Sequence, residues 1–219
     1  MALTFTLDNI MKFFTYVSPL FISSFLLIQS AMEWNLKGLV YLIGVCLTYI
    51  FGILLKTMFW QLDGRRIGGK WSRKPFRINT PGMPGHTNQA MPDYCSVFEG
   101  PFHNSTLSAI ATPSLNAMFH FFTFIYITLA VGFNPYKPPG GIAFVILLGI
   151  TAIANLSFRY ILMCDDFKSI AIGGVFGLIL GGLWFAAVKA TRPDWLFYGD
   201  EKQSKKCKLG KTKFKCTYE

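Results

Sequence analysis

The chain has 219 residues, of which 52% are apolar and 15% charged, and a formal net charge of +10. Soluble domains carry about a quarter charged residues. Here the charge is both scarce and crowded into two hydrophilic segments, which excludes a soluble enzyme and points to one membrane-embedded unit.

In chain order, the opening Met1-Ala2-Leu3-Thr4 lacks the basic start and small-residue cleavage site of a secretory signal, so the first apolar run is expected to be a retained span. A helix needs about 20 apolar residues to cross the hydrocarbon core. Five runs approach that length: residues 13–31, 38–55, 115–133, 141–158 and 170–188. Trp34-Asn35 separates the first two, and the breaker cluster from Asn134 through Pro138, Pro139 and Gly140 separates the third from the fourth. Trp60, Tyr136, Trp184 and Trp195 stand near span ends, where amphipathic rings favour the headgroup level. The fold class expected is an all-α, polytopic membrane helical bundle. Its parts are 1–60 (two spans), 61–112 (a basic, then Pro- and Gly-rich loop), 113–189 (three spans) and 190–219 (a Lys-rich tail).

An odd number of spans puts the termini on opposite sides. The N-terminus, the long loop and the link around Asp165 share one face, while the tail and the Trp34 and Pro138 turns share the other. Nine Lys and Arg follow Val188 against six in the long loop, so the positive-inside rule leans towards a cytoplasmic tail. The five cysteines show no CxxC spacing and no Cys/His metal pattern, which predicts free thiols, with a tail disulfide as the alternative. No metal and no cofactor are expected.

Three polar sets fall on the loop face. They are Lys70-Trp71-Ser72-Arg73-Lys74-Pro75-Phe76-Arg77, then Pro113-Ser114-Leu115-Asn116, then Ser157-Phe158-Arg159 with Asp165, Asp166, Lys168 and Ser169. An arginine at the end of a span must snorkel or find an anionic partner. Arg159 therefore has two readings: a pair with Asp165 or Asp166, or convergence with Lys70 and Arg77 on a phosphate, whose oxygens match a guanidinium fork.

These three sets resemble, in order and placement, the motifs of type 2 phosphatidic acid phosphatases, the lipid phosphate phosphatases. Lys70 and Arg77 match the spacing of the first motif, with Ile78 in place of its proline. Pro113-Ser114-Leu115-Asn116 is similar to Pro-Ser-Gly-His, and Ser157-Phe158-Arg159 to the Ser-Arg that opens the third motif, with one residue inserted. Counting from Arg159 puts Asp165 where the family has its nucleophilic histidine and Ser169 where it has the aspartate that orients it. The resemblance covers residues 61–188 and implies a phosphate-gripping trio, Lys70, Arg77 and Arg159, retained on a scaffold whose reacting groups are replaced. Asn116 cannot serve as a general acid, and Ser169 orients poorly.

Asp165 as an acyl-phosphate former and His120, one turn below Asn116, as a displaced acid are the two catalytic candidates. For His120 the bland alternative is a hydrogen-bonded histidine inside the bundle. His86 and His103 fall in the long loop, as does the sequon Asn104-Ser105-Thr106, usable only if that loop is lumenal. The tail carries seven lysines from 202 to 215, with Lys205, Lys206, Lys208, Lys211, Lys213 and Lys215 the residues expected to adhere to anionic headgroups or an acidic protein layer. Nucleic acid is not an expected partner.

Three functions follow as expectations. The first is a non-catalytic structural or anchoring membrane protein. The second is a divergent lipid phosphate phosphatase, and the third a transporter or assembly factor. A degraded enzyme scaffold with a basic tail looks like the internal-membrane proteins of large DNA viruses, which tie a lipid layer to a capsid shell. That likeness implies a virion or endoplasmic-reticulum-derived membrane as the setting.

Overall fold

Thr6 begins the first helix from an extended conformation, its Oγ1 accepting from the Asn9 N–H at 3.4 Å. That helix, α1 (Leu7–Met32), is followed by α2 (Lys37–Arg66), α3 (Leu115–Gly132), α4 (Pro139–Ile161) and α5 (Phe167–Thr191). A short 3-10 turn, Pro193–Trp195, and a two-stranded hairpin, β1 (Lys206–Leu209) and β2 (Phe214–Thr217), complete the order. The structure is a computed structural model that describes residues 6–66, 113–134, 139–162, 164–197, 206–209 and 214–217.

All five helices are long and apolar enough to cross a membrane, so the chain is a multi-pass helical membrane bundle. Their outward residues are large and apolar: Phe13, Phe21, Ile153 and Leu183 are each more than 60% exposed. In water such a surface would be untenable; in lipid it is the ordinary solvent-facing side. Thr15, Ser18, Asn116, His120, Thr123 and Asn155 are buried between the helices.

The tight link between α1 and α2 is knotted by one serine. Ser30 Oγ donates to Asn35, lying 2.7 Å from both the backbone oxygen and Oδ1, and accepts from the Gly38 N–H at 2.9 Å. Trp34 turns the chain at φ 51° and is almost wholly exposed, as suits a headgroup-level indole.

The centre is α3, the shortest span, which touches all four of the others. Its most intimate neighbour is α5, and the reason lies in three glycines spaced by four. A Cβ on Gly173 would meet the Ser114 carbonyl oxygen at 2.5 Å, and one on Gly177 the Met118 carbonyl oxygen at 2.5 Å. One on Gly181 would meet the Phe122 carbonyl oxygen at 2.7 Å. The register offset is the same each time, so two parallel helices lie backbone against backbone along three turns. Lipid tails are as apolar as leucine, and close packing of this small-xxx-small kind is what draws spans together. The glycines thus serve packing inside the bundle.

On its other side α3 stacks Phe122 and Tyr126 against Tyr41 of α2, whose hydroxyl bonds Thr123 Oγ1 at 2.7 Å. The hairpin adds a small β element to the helical plan, pairing Cys207 opposite Cys216 and Lys208 opposite Lys215 in antiparallel register.

The glycine register gives a contrast to test. Gly177→Ala forces α3 and α5 apart and should cost about 1–3 kcal/mol, the usual penalty of overpacking. Gly182→Ala, with nothing within 4 Å of its added carbon, should cost nothing. Unfolding both variants in detergent checks this, and equal losses would contradict the packing account.

Candidate functional site

Where α3 begins and the α4–α5 link turns, several buried polar groups meet. Arg159 ends α4 and is only 5% exposed. The link folds back on itself, with the Cys164 N–H bonding the Arg159 carbonyl at 2.9 Å. That turn brings Asp165, 4% exposed, onto the guanidinium, so that Arg159 Nε donates to Asp165 Oδ2 at 2.5 Å.

A second donor reaches the same oxygen, Ser114 Oγ at 2.8 Å. Ser114 does three further things. It caps α3, its Oγ also lying 3.3 Å from the Ala117 N–H; its own N–H bonds the Ser169 carbonyl at 3.1 Å; and its backbone lies under Gly173. One residue therefore joins the start of α3, the start of α5 and the ion pair. Asp166 caps α5 independently, accepting from the Phe167 N–H at 2.8 Å.

A turn deeper lies a second polar layer. Pro19 sits inside α1 and has no N–H, which leaves the Thr15 carbonyl without its intrahelical donor. Asn155 on α4, fully buried, has its Nδ2 3.5 Å from that carbonyl and 2.5 Å from Ser18 Oγ. Ser18 Oγ in turn lies 3.4 Å from His120 Nε2. The amide can only donate through Nδ2, so Ser18 Oγ accepts from Asn155 while also contacting the His120 ring nitrogen. His120 is thus a buried histidine tied to α1 and stacked edge-on against Phe119, the bland arrangement named for it above.

Of the residues singled out in the sequence, Arg159, Asp165 and Ser114 meet directly, Ser169 joins through its backbone, and Asn116 is buried one residue into α3. Among the described residues Asn116 Oδ1 and Asn155 Oδ1 have no hydrogen-bond partner. Lys70 and Arg77 lie outside the described residues, as do His86, His103, the sequon at Asn104, and Lys205, Lys211 and Lys213. Ser18, Thr15 and Asn155 are the contributors that motif reading missed. Pro19 was the available signal, since a proline within a span frees a carbonyl that something polar must answer.

One expectation is overturned. Cys164, 1% exposed, is disulfide-bonded, whereas scattered spacing had predicted free thiols. A bridge between distant chain positions leaves no spacing signal to read. Cys46 is free and exposed on α2. Among the described residues no three His, Cys, Asp or Glu side chains cluster so as to hold a metal ion.

Chemically, the cluster holds a carboxylate already gripped by a guanidinium and a hydroxyl. Its near neighbours Asn116 and Ser169 cannot protonate a leaving group at neutral pH. Ser114→Ala removes a helix cap, about 1 kcal/mol, and a hydrogen bond to a charge, about 1.5–3 kcal/mol. A loss of about 2–4 kcal/mol in detergent unfolding is expected, and a silent substitution would contradict it.

The chain was compared with protein-family models, with curated proteins and with solved structures, and none of the three gave a match.

Proposed function

We propose that this chain is a non-catalytic integral membrane protein that anchors something acidic to the bilayer through its basic tail. The observation that carries the reading is the buried Arg159–Asp165 pair with Ser114 on the same oxygen. Where the resembled phosphatases place a reactive imidazole, this chain places a carboxylate engaged in holding helices together. A phosphate binding Arg159 would have to compete with the Asp165 charge, and separating a buried pair costs about 3–5 kcal/mol. The groups that would make catalysis worth that cost, a general acid and an orienting carboxylate, are replaced by Asn116 and Ser169.

The positive half of the proposal rests on the tail. Seven lysines between 202 and 215 follow the last span closely. Each basic residue near an anionic surface contributes about 1 kcal/mol, and the sum is screened by salt. An acidic protein layer, such as a capsid shell, presents the same chemistry as an anionic leaflet.

One experiment reads both halves. Protein held in neutral-lipid nanodiscs is incubated with vesicles containing phosphatidic acid, beside Asp165→Asn and a chain lacking residues 202–219. The expected result is vesicle capture that weakens with salt and disappears with the tail, and no phosphate release above background from any variant. Release that is lost in Asp165→Asn would instead establish a divergent lipid phosphatase. Capture that survives the truncation would remove the tail from the account.

A further inference from the structure

The spans α2 and α3 pack antiparallel: Tyr41 bonds Thr123 towards one end, and Gly52 faces Leu115 towards the other. Two glycines of α2 pin the pair. A Cβ on Gly44 would come within 2.7 Å of the Phe122 ring, and one on Gly52 would run into Leu115 Cδ2. Between these two points Val45 and Thr48 are too short to fill the seam, and a groove of ≈ 300 Å³, its open side included, remains. Its floor is buried and consists of Thr48, Met118, Phe119 and Phe122. Its rims, Val45, Tyr49 and Leu115, are only half-buried, so the groove opens on the outside of the bundle. Beside it on α2, Leu47 and Ile50 are exposed apolar side chains of the kind that face lipid.

We propose that this groove holds one acyl chain of a bilayer phospholipid whose anionic headgroup lies at Lys56. The floor offers water little to bond. Its one hydroxyl, Thr48 Oγ1, already donates to the Gly44 carbonyl at 2.9 Å, and a water is held only where two or more polar groups meet it. An empty groove forfeits the contacts of its lining on one side, and a hydrocarbon chain restores them. The depth fits a single leaflet. Val45 lies eleven residues before Lys56, about 16 Å of helix and so about half of a hydrocarbon core of 30 Å. Charge sets the class of lipid. Lys56 stands seven residues, two turns, beyond Tyr49 and so shares its face of α2, which puts a cation above the groove's rim. Lys56 is 7% exposed and already interacts within the chain; an ammonium has three donors, and a lipid phosphate is a further acceptor for them. The site depends on the five crossings and not on the basic tail, so it stands whether or not the anchoring proposal does.

The test is photo-crosslinking of the full-length protein in phosphatidylcholine nanodiscs that contain a minority of phosphatidic acid. One lipid at a time carries a diazirine on its acyl chain, and labelled peptides are read by mass spectrometry. Residues 45–49 and 115–122 should be labelled more strongly than the exposed face of α4 at Ile146 and Ile150. At the groove, phosphatidic acid should be preferred over phosphatidylcholine by about fivefold, the factor that about 1 kcal/mol per basic residue gives. Val45→Phe combined with Thr48→Leu fills the groove and should abolish labelling there while leaving α4 unchanged. Lys56→Gln should erase the preference and leave the groove labelled by both lipids. Groove labelling no stronger than that of α4 would overturn the site, and a preference that survives Lys56→Gln would overturn the headgroup placement. Should the filled variant fold poorly, unlabelled phosphatidic acid is titrated into discs of the unsubstituted protein. Groove labelling that is competed away before α4 labelling supports a built site; equal dilution of both would mean ordinary lipid contact and overturn it.

Discussion

A guanidinium cannot stay charged inside a membrane bundle without a counter-charge, and much of this structure follows from where Arg159 finds one. Arg159 sits at the end of α4 and is buried, so snorkelling to water does not solve its problem. The solution is local in sequence: the chain turns straight back and presents Asp165, six residues on. That turn sets where α5 begins, and Ser114, reaching the same carboxylate, sets where α3 begins beside it. The ion pair is thus the point at which three spans are indexed to one another.

From that point the packing runs down the bundle. Gly173 lies against Ser114 itself, and Gly177 and Gly181 repeat the contact at Met118 and Phe122. Polar anchoring at the mouth and glycine packing along the shaft therefore share one register. Neither suffices alone: hydrogen bonds between spans are individually modest, and small residues give close approach without direction. The deeper layer of Ser18, Asn155 and His120 ties α1 and α4 to the same centre, using the carbonyl that Pro19 leaves free. Arg159, Asp165, Ser114, Ser18 and Asn155 are thus engaged in holding one span to another.

Much of this was legible from residues alone. Five charge-free runs and their breakers located all five spans, because a membrane permits few alternatives to a helix of that length. Arg159 stood out as an intramembrane cation, and Asp165 was one of its two named partners. What was not legible depended on contacts between distant segments. Nothing in the neighbourhood of Asn155 announces Thr15 and Ser18, some 140 residues earlier. Ser114 looked like part of a motif, whereas its importance lies in touching Asp165 and Ser169. The disulfide at Cys164 was missed for the same reason.

The claim at the centre is that Arg159 and Asp165 are a structural unit, and a double-mutant cycle tests it most directly. Arg159→Met, Asp165→Leu and the double variant would be unfolded in detergent beside the unsubstituted protein. Each single change strands a buried charge and should cost about 3–5 kcal/mol, while removing both leaves no charge to strand. The account therefore expects the double variant to be more stable than either single one. Additive losses, or single variants as stable as the parent, would contradict it.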